Sequence, residues 1–319
     1  ATTEIYTSFP TRRSSDLISI KGKSKNTAKA YGYDLILLFK FLKSYRGQDE
    51  QEGDFNDILI NDIDDEFIKS IDLSELYAFV SFLGSERNNS SYGKSRKVAT
   101  IKSFFKYLYS KIKIISDNPA IELESPKIVK REPIYLNLEE SRRLLRAVNS
   151  LDLKNKKRDY CIIAFFLNCG LRVSELCSIN LSDIEEDKLT VIGKGNKQRI
   201  IYLNDLSKKA LNDYIEYRRD LEEKIDEKDR EALFISQKNT RISNRAVERL
   251  VKKYIEYAGI EKEKFSPHKL RHTAATLMYK NGVDIRSLQN FLGHESVSTT
   301  QIYTHIDEEK MREDRKAHV

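Results

Sequence analysis

Apolar side chains in the first part of the chain recur at spacings of three and four, which places them on one face of a helix. The first such set is Tyr31, Leu35, Leu38, Phe39 and Leu42. The same spacing recurs over residues 74–83 and 94–111, and residues 61–71, which are acidic and have apolar positions of their own, are predicted to hold a short helix. The pattern therefore predicts a small all-helical domain of four helices.

The pattern changes in the second half, where helical stretches flank a β-rich one. Residues 187–192 and 198–203 are β-rich and are separated by Gly193-Lys194-Gly195-Asn196-Lys197, which has the composition of a hairpin turn. We predict helices over residues 139–148, 158–168, 207–223 and 244–258. Together these elements indicate a mostly α-helical domain with a small β-sheet, of the α+β class.

Two further helices are predicted from their end signals. Ser266 and Pro267 have the residue types of an N-cap and a first helical position, and Asn281-Gly282 ends that helix. Asp284 caps the next helix, which ends at Gly293. Gly170 is placed to take the left-handed conformation after the helix over 158–168.

Proline and composition set the expected boundaries. Three of the five prolines, Pro119, Pro126 and Pro133, lie in residues 118–136, which we interpret as a linker between domains 18–117 and 137–319. The second domain is expected to close with a charged tail helix. Residues 1–17 resemble a translated sequencing adapter, and we expect them to be a non-native, disordered leader.

The chain has 319 residues, a net charge of +7 and a pI near 9.0, which suits a polyanionic partner but also suits simple solubility. It has no run of about eighteen apolar residues, so we expect no membrane span and a cytoplasmic location. The three cysteines, Cys161, Cys169 and Cys177, lie in apolar sequence without metal-ligand spacing. Buried reduced thiols are the favoured interpretation.

The second half contains six residues whose side chains could together bind and cleave a phosphodiester. In chain order they are Arg172, Lys194, His268, Arg271, His294 and Tyr303. Guanidinium groups match the oxygens of a phosphodiester and stay charged at any working pH. Lysine can protonate a leaving oxygen, and a tyrosine phenol can attack phosphorus once the phosphate charge is neutralised. This chemistry requires no metal and no cofactor.

Each residue also has an ordinary alternative. Arginines are often surface cations, His294 could cap a helix, and Tyr303 could be a core aromatic residue. Lys194 lies in a turn that could be a simple exposed loop, and Lys197 beside it is a rival for the same role. Glu175, one turn after Arg172, could orient a cation of the site or form an ordinary helix salt bridge.

The order of these residues, with the motifs Gly170-Leu171-Arg172, His268-x-x-Arg271, Leu292-Gly293-His294 and the segment around Tyr303, resembles the tyrosine recombinases. This family includes phage integrases and Xer proteins. The resemblance favours Lys194 over Lys197. It implies cleavage of double-stranded DNA at a specific site through a 3′-phosphotyrosyl bond, by a homotetramer on synapsed duplexes, either alone or with a second related recombinase. It also implies a SAM-like helical domain that closes over the DNA, and action at the nucleoid.

The role within the family stays open between Xer-type chromosome resolution and integration or excision of a mobile element. A type IB topoisomerase and a non-catalytic DNA-binding protein on the same scaffold are the alternative functions. Basic residues on two predicted helices are the candidate DNA contacts, although they could equally be solvated helix faces. They are Lys94, Arg96, Lys97, Lys102, Arg241, Arg245 and Arg249.

Overall fold

The computed structural model describes residues 25–48, 54–127, 134–150, 154–261 and 265–293. The chain divides into two compact units near residue 131. Helices dominate both units, and the small sheet lies in the second, which confirms the predicted fold class. Among the described residues, no helix combines the length and the apolar character that crossing a membrane requires.

The described part of the first unit contains four α-helices, as the periodicity predicts. They are α1 (Lys25–Tyr45), α2 (Asp65–Lys69), α3 (Leu73–Ser85) and α4 (Ser91–Tyr107), the last of which continues into a π-helical turn, Leu108–Ile112. The core side chains include Leu35, Leu38, Phe39, Leu76, Phe79, Val98, Ile101 and Phe105, all fully buried. The predicted apolar faces of α1, α3 and α4 therefore form the core of this unit.

The start of α3 shows how local sequence fixes an element. Asp72 accepts a hydrogen bond from the backbone N–H of Glu75 at 2.9 Å, and the Glu75 carboxylate accepts one from the Asp72 N–H at 3.1 Å. This reciprocal capping box satisfies two backbone donors that the first turn of a helix leaves unpaired.

The chain that follows α4 stays on the first unit. Ile115, Ala120 and Leu123 are buried in its core. The Tyr77 hydroxyl donates to the carbonyl of Glu122 at 3.0 Å. The predicted linker over residues 118–136 therefore begins with residues that pack against the helices.

The second unit contains seven α-helices among its described residues. The helices are α5 (Leu138–Ser150), α6 (Lys156–Cys169), α7 (Val173–Ser178), α8 (Asp205–Arg219), α9 (Asn244–Tyr257), α10 (Pro267–Lys280) and α11 (Ile285–Leu292). The strands are β1 (Ile184–Glu185), β2 (Lys188–Ile192) and β3 (Gln198–Tyr202). Asp284 caps α11 as predicted, whereas Ser266 makes no side-chain cap at α10.

Helix α6 forms the centre of the second unit. It packs against α5, α8 and α10, and its residues from Cys161 to Phe166 are fully buried on every face. Burying each large apolar side chain contributes about 1.5–3 kcal/mol. Cys161, Cys169 and Cys177 are buried and unpaired as predicted, and burial raises the pKa of Cys169 and Cys177 to about 12.

The small sheet is antiparallel, in the order β1-β2-β3. Leu189 of β2 pairs with Ile201 of β3, and Val191 pairs with Arg199. The turn that joins β2 to β3 uses left-handed backbone at Gly195 and Asn196, the residue types that tolerate it. The predicted hairpin is thus present, while β1 was not predicted because two residues carry no readable alternation.

Candidate functional site

The buried carboxylate of Glu175 on α7 lies at the centre of the site. Its side chain is 3% exposed. Arg172 Nη1 donates to Oε1 at 2.6 Å, and the Arg172 backbone N–H donates to Oε2 at 2.8 Å. Arg271 Nη1, on α10, lies 3.5 Å from Oε2. The two arginines that the sequence places about a hundred residues apart therefore meet at one carboxylate.

A third arginine, which the sequence analysis missed, binds the same group. Arg199 on β3 donates from Nη1 to Oε1 at 3.0 Å and from Nη2 to Oε2 at 2.8 Å. Burial raises the pKa of Glu175, but hydrogen bonds from Arg199 and Arg172 outweigh that effect and lower the pKa to about 2. The carboxylate is therefore ionised throughout the physiological range of pH.

The same three arginines also bind the C-terminal end of α11. Arg199 Nε donates to the carbonyl of Phe291 at 3.0 Å, Arg271 Nη2 donates to that of Leu292, and Arg172 Nη2 donates to that of Gly293 at 3.3 Å. Carbonyl groups at a helix C-terminus lack intrahelical donors and carry partial negative charge. The arginine cluster thus fixes the backbone immediately before His294.

Gly170 makes this convergence possible. It ends α6 with φ +56°, and a Cβ at this position would lie 3.1 Å from both Leu292 Cδ2 and Phe291 Cε1. Its carbonyl accepts a hydrogen bond from Arg271 Nη1 at 2.6 Å. A glycine is therefore required here both for the left-handed backbone, which the sequence predicted, and for the close approach of α11, which it did not.

His268 lies beside the cluster on α10. Its Nε2 is 3.1 Å from Nε2 of His272, one helical turn later, so one imidazole can donate to the other. Desolvation and the nearby cations Arg271, Lys269 and Arg172 lower the pKa of His268 below its ordinary value. The lowered pKa favours the neutral form of the imidazole, which has one nitrogen that can accept a proton. His272, like Arg199, was not singled out from the sequence.

Three of the candidate residues are described incompletely or not at all. The backbone of Lys194 lies in a short 3₁₀ turn, Lys194–Asn196, at the tip of the β2–β3 hairpin. The side chain of Lys194 is not among the parts that the structure describes. His294 and Tyr303 lie outside the described residues.

The candidate DNA contacts of the first unit divide into two kinds. Lys97 is buried and donates to Asn89 Oδ1 at 3.0 Å, so its ammonium group is engaged within the unit. Arg96 forms a two-point hydrogen-bonded pair with the buried carboxylate of Asp34 and keeps about half of its side chain exposed. Lys102 donates to the carbonyl of Ile121 at 3.2 Å. Lys94 is half-buried and stays a candidate DNA contact.

In the second unit the prediction that Arg241 lines a basic helix is wrong. It precedes α9 and donates to the carbonyls of Cys177 and Ile179 at 3.1 and 3.2 Å, as well as to Asn180 Oδ1 at 2.6 Å. A guanidinium group used in this way holds a loop together. Arg245 and Arg249 do lie on the exposed face of α9.

Comparison with known proteins places this geometry in a family. The model of the phage integrase family matches residues 135–310. Tyrosine recombinase XerC of Caldanaerobacter subterraneus subsp. tengcongensis is 57% identical over 92% of this chain and 82% of its own. Tyrosine recombinase XerD of Proteus mirabilis is 33% identical over 92% of this chain and 86% of its own.

Solved structures agree with this result. The crystal structure of XerA recombinase covers 97% of both chains with 30% identity and a TM-score of 0.51. XerH bound to its palindromic difH substrate has a TM-score of 0.71 at 22% identity, over 95% of this chain and 84% of its own, and supports the fold alone. The chain belongs to the tyrosine recombinases of the phage integrase family. Tyrosine recombinases of the Xer type are among its relatives, which confirms the resemblance seen in the sequence.

Proposed function

We propose that the chain is a site-specific DNA recombinase that cuts and rejoins strands through a covalent 3′-phosphotyrosyl intermediate. The observation that supports this most directly is the convergence of Arg172, Arg199 and Arg271 around one carboxylate, next to His268 and at the backbone that leads to His294. Clustered guanidinium groups supply the fixed positive charge that a phosphodiester needs as it is attacked. Membership of the family supports the same conclusion.

The proposed chemistry assigns one role to each residue. Tyr303 Oη attacks the phosphorus and forms an O–P bond while the bond from phosphorus to the 5′ oxygen breaks. Lys194 gives a proton to that 5′ oxygen, and Arg172 and Arg271 bind the non-bridging oxygens. His268 accepts the proton that the Tyr303 phenol releases as it attacks, and His294 hydrogen-bonds the phosphate. The reverse reaction rejoins the strand, and because the phosphotyrosyl bond conserves the energy of the broken linkage, no ATP is required.

Glu175 acts through the cations that it holds. Since its pKa is lowered to about 2, it remains an anion and cannot serve as a proton donor near neutral pH. Its role is to orient Arg172 and Arg271 before DNA arrives. Preorganised charge of this kind costs no reorganisation during the reaction.

The finer partners are also part of the proposal. We propose that the protein acts on double-stranded DNA at a specific recombination site. It does so as a tetramer that joins two duplexes, either alone or with a second related recombinase. Relatives in complex with DNA support the first point, and a lambda integrase tetramer bound to a Holliday junction supports the second at the level of the fold. Sedimentation of the protein with a site-containing duplex tests the assembly. Species that never exceed one protein per duplex would contradict it.

The test of the chemistry is a Tyr303→Phe variant on a nicked suicide duplex. The substitution removes only the phenol oxygen, so we expect DNA binding to remain and every covalent protein–DNA adduct to disappear. Tyr109→Phe is the matched control, because Tyr109 is an exposed tyrosine of the first unit, and it should form the adduct as the unmodified protein does. An adduct that persists in Tyr303→Phe would assign the nucleophile elsewhere.

Plasmid relaxation separates recombination from the topoisomerase alternative. A recombinase acts at its own site and in a synapse, so supercoiled plasmid that lacks the site should stay supercoiled. Rapid relaxation of site-free plasmid would instead indicate topoisomerase activity. Binding with no adduct in the unmodified protein would indicate a non-catalytic DNA-binding protein.

A further inference from the structure

We propose that Arg199 is a positioning residue for strand cleavage, which occupies the carboxylate of Glu175 so that Arg172 and Arg271 can engage the scissile phosphate. The inference rests on the function proposed above and adds to it a residue that the sequence motifs do not include. It follows from the contacts of the Arg199 side chain, which is 11% exposed and reaches three separate parts of the site.

Arg199 binds Glu175 in a geometry that the other two arginines do not share. Its two Nη groups donate to separate carboxylate oxygens, at 3.0 and 2.8 Å. The Arg172 side chain reaches one oxygen, and Arg271 lies at 3.5 Å. Two parallel N–H···O bonds form the strongest arrangement between a guanidinium group and a carboxylate. Arg199 therefore compensates a large part of the negative charge of Glu175.

The charge balance gives this contact a consequence for catalysis. Three guanidinium groups face one carboxylate, so two positive charges are in excess at the place where a phosphate would bind. Without Arg199 the excess falls to one. Glu175 is buried, so it would then draw more strongly on Arg172 and Arg271 and compete with the phosphate for them. Arg199 thus frees the other two arginines for the substrate.

Arg199 also couples the hairpin that carries Lys194 to the backbone before His294. It stands on β3, directly after the hairpin turn, and its Nε donates to the carbonyl of Phe291 at 3.0 Å. A Cβ on Gly293 would lie 3.2 Å from Arg199 Nη1, so the guanidinium packs directly against that glycine. One side chain therefore sets the distance between two parts of the proposed site.

The experiment measures adduct formation by Arg199→Gln and Arg199→Lys in the full chain, on a nicked suicide duplex under single-turnover conditions. We expect Arg199→Gln to be slower by roughly 10–100-fold, by analogy with the loss of groups that orient the ligands of a catalytic metal. Arg199→Lys should recover part of the rate, because it keeps the charge and loses the fork. DNA affinity should change much less in either variant.

The pH profile distinguishes positioning from a purely structural role. Glu175 is faced by Arg172 from the turn before α7, Arg199 from β3 and Arg271 from α10, and all three guanidinium groups favour its ionised form. Burial raises the pKa of Glu175 and Arg199 lowers it, so removing Arg199 should raise that pKa. The variant should then lose activity at an acidic pH where the unmodified protein is still active. His268 titrates in both proteins, so only the shift between the two profiles is assigned to Glu175.

Arg146→Gln is the matched control, because Arg146 is an exposed arginine of the same unit whose partner is Glu139. Rates are expressed per folded protein, measured by circular dichroism. Arg199→Gln at the unmodified rate, or slower with an unshifted pH profile and no recovery by lysine, would overturn the inference and leave the proposed function intact. Absence of any adduct in the unmodified protein and in Arg146→Gln would overturn both.

Discussion

A buried carboxylate is costly unless its charge is paired and its oxygens are hydrogen-bonded. Glu175 meets both conditions, because two arginine side chains and one backbone N–H donate to it. The arginines also donate to the carbonyl of Gly170 and to carbonyls at the end of α11. Removing the carboxylate would leave the guanidinium groups close together without an anion between them.

We expect Glu175→Gln to lower the free energy of unfolding at neutral pH by about 3 kcal/mol, the equivalent of the drop in its pKa from 4.5 to about 2. Because the folded-state pKa is lowered, this stability is present above the unfolded pKa and is lost as pH falls toward the folded one. The difference in the free energy of unfolding between the unmodified protein and Glu175→Gln should therefore decrease by about 2 kcal/mol from pH 7 to pH 3. Urea unfolding across that range measures it, and a constant difference would contradict the argument.

At the residue scale, the sequence was sufficient for the groups that have a motif and insufficient for those defined by contact. Arg172 and Arg271 were predicted, and they do converge. Arg199 lies 24 residues from its partner Glu175. Its strand, Gln-Arg-Ile-Ile-Tyr, does not alternate between polar and apolar residues, so the inward direction of Arg199 could not be read. The pairing of Arg96 with Asp34, which joins two helices over 62 residues of sequence, also has no local motif.

At the scale of elements, the site depends on how the end of α11 meets the end of α6. Gly170 ends α6 and Gly293 ends α11, both with left-handed backbone. Between them, Leu292 and Phe291 lie where any side chain at position 170 would project. The packing of two helix ends thus brings the carbonyls of α11 within reach of the arginines.

Gly170→Ala should be considerably more destabilising than Gly259→Ala. Both residues have positive φ, +56° and +64°, so both variants incur the left-handed backbone penalty of about 1–2 kcal/mol. A Cβ at Gly259 would meet nothing within 4 Å, whereas one at Gly170 would meet two side chains at 3.1 Å. Overpacking should add about 1–3 kcal/mol and slow adduct formation by displacing α11. Equal losses of stability in the two variants would show that the contact with α11 is unimportant.

Elements with strong local signals were predicted well, and those held by distant contacts were not. The apolar faces of α1 and α4, the hairpin turn and the cap at Asp284 follow from nearby residues. Ser266 has the sequence of a cap and forms none, because residue type permits a hydrogen bond without directing the side chain. Residues 118–124 were assigned to the linker because they contain Pro119. They pack against the first unit because Ala120 and Leu123, with Ile115 before them, are buried in its core, a contact that the local sequence does not reveal.

At the scale of the whole molecule, a net charge of +7 is a weak guide to where DNA binds, since the basic residues have different uses. Arg241 holds a loop, and Lys97 is buried. Helix α9 offers a clearer surface. Its apolar residues Val247, Val251 and Tyr254 face the core, and Arg245 and Arg249 are one turn apart on the opposite, exposed side.

The salt dependence of DNA affinity distinguishes these uses. If Arg245 and Arg249 contact phosphates, each substitution to alanine should reduce the slope of log affinity against log salt by about 1, because one fewer counterion is released. Arg241→Ala should leave that slope unchanged, since its guanidinium is occupied by Cys177, Ile179 and Asn180, and should lower stability instead. Fluorescence anisotropy with a labelled duplex at several salt concentrations measures the slopes. A reduced slope in Arg241→Ala with normal slopes in the other two would mean that the loop, and not α9, faces the DNA.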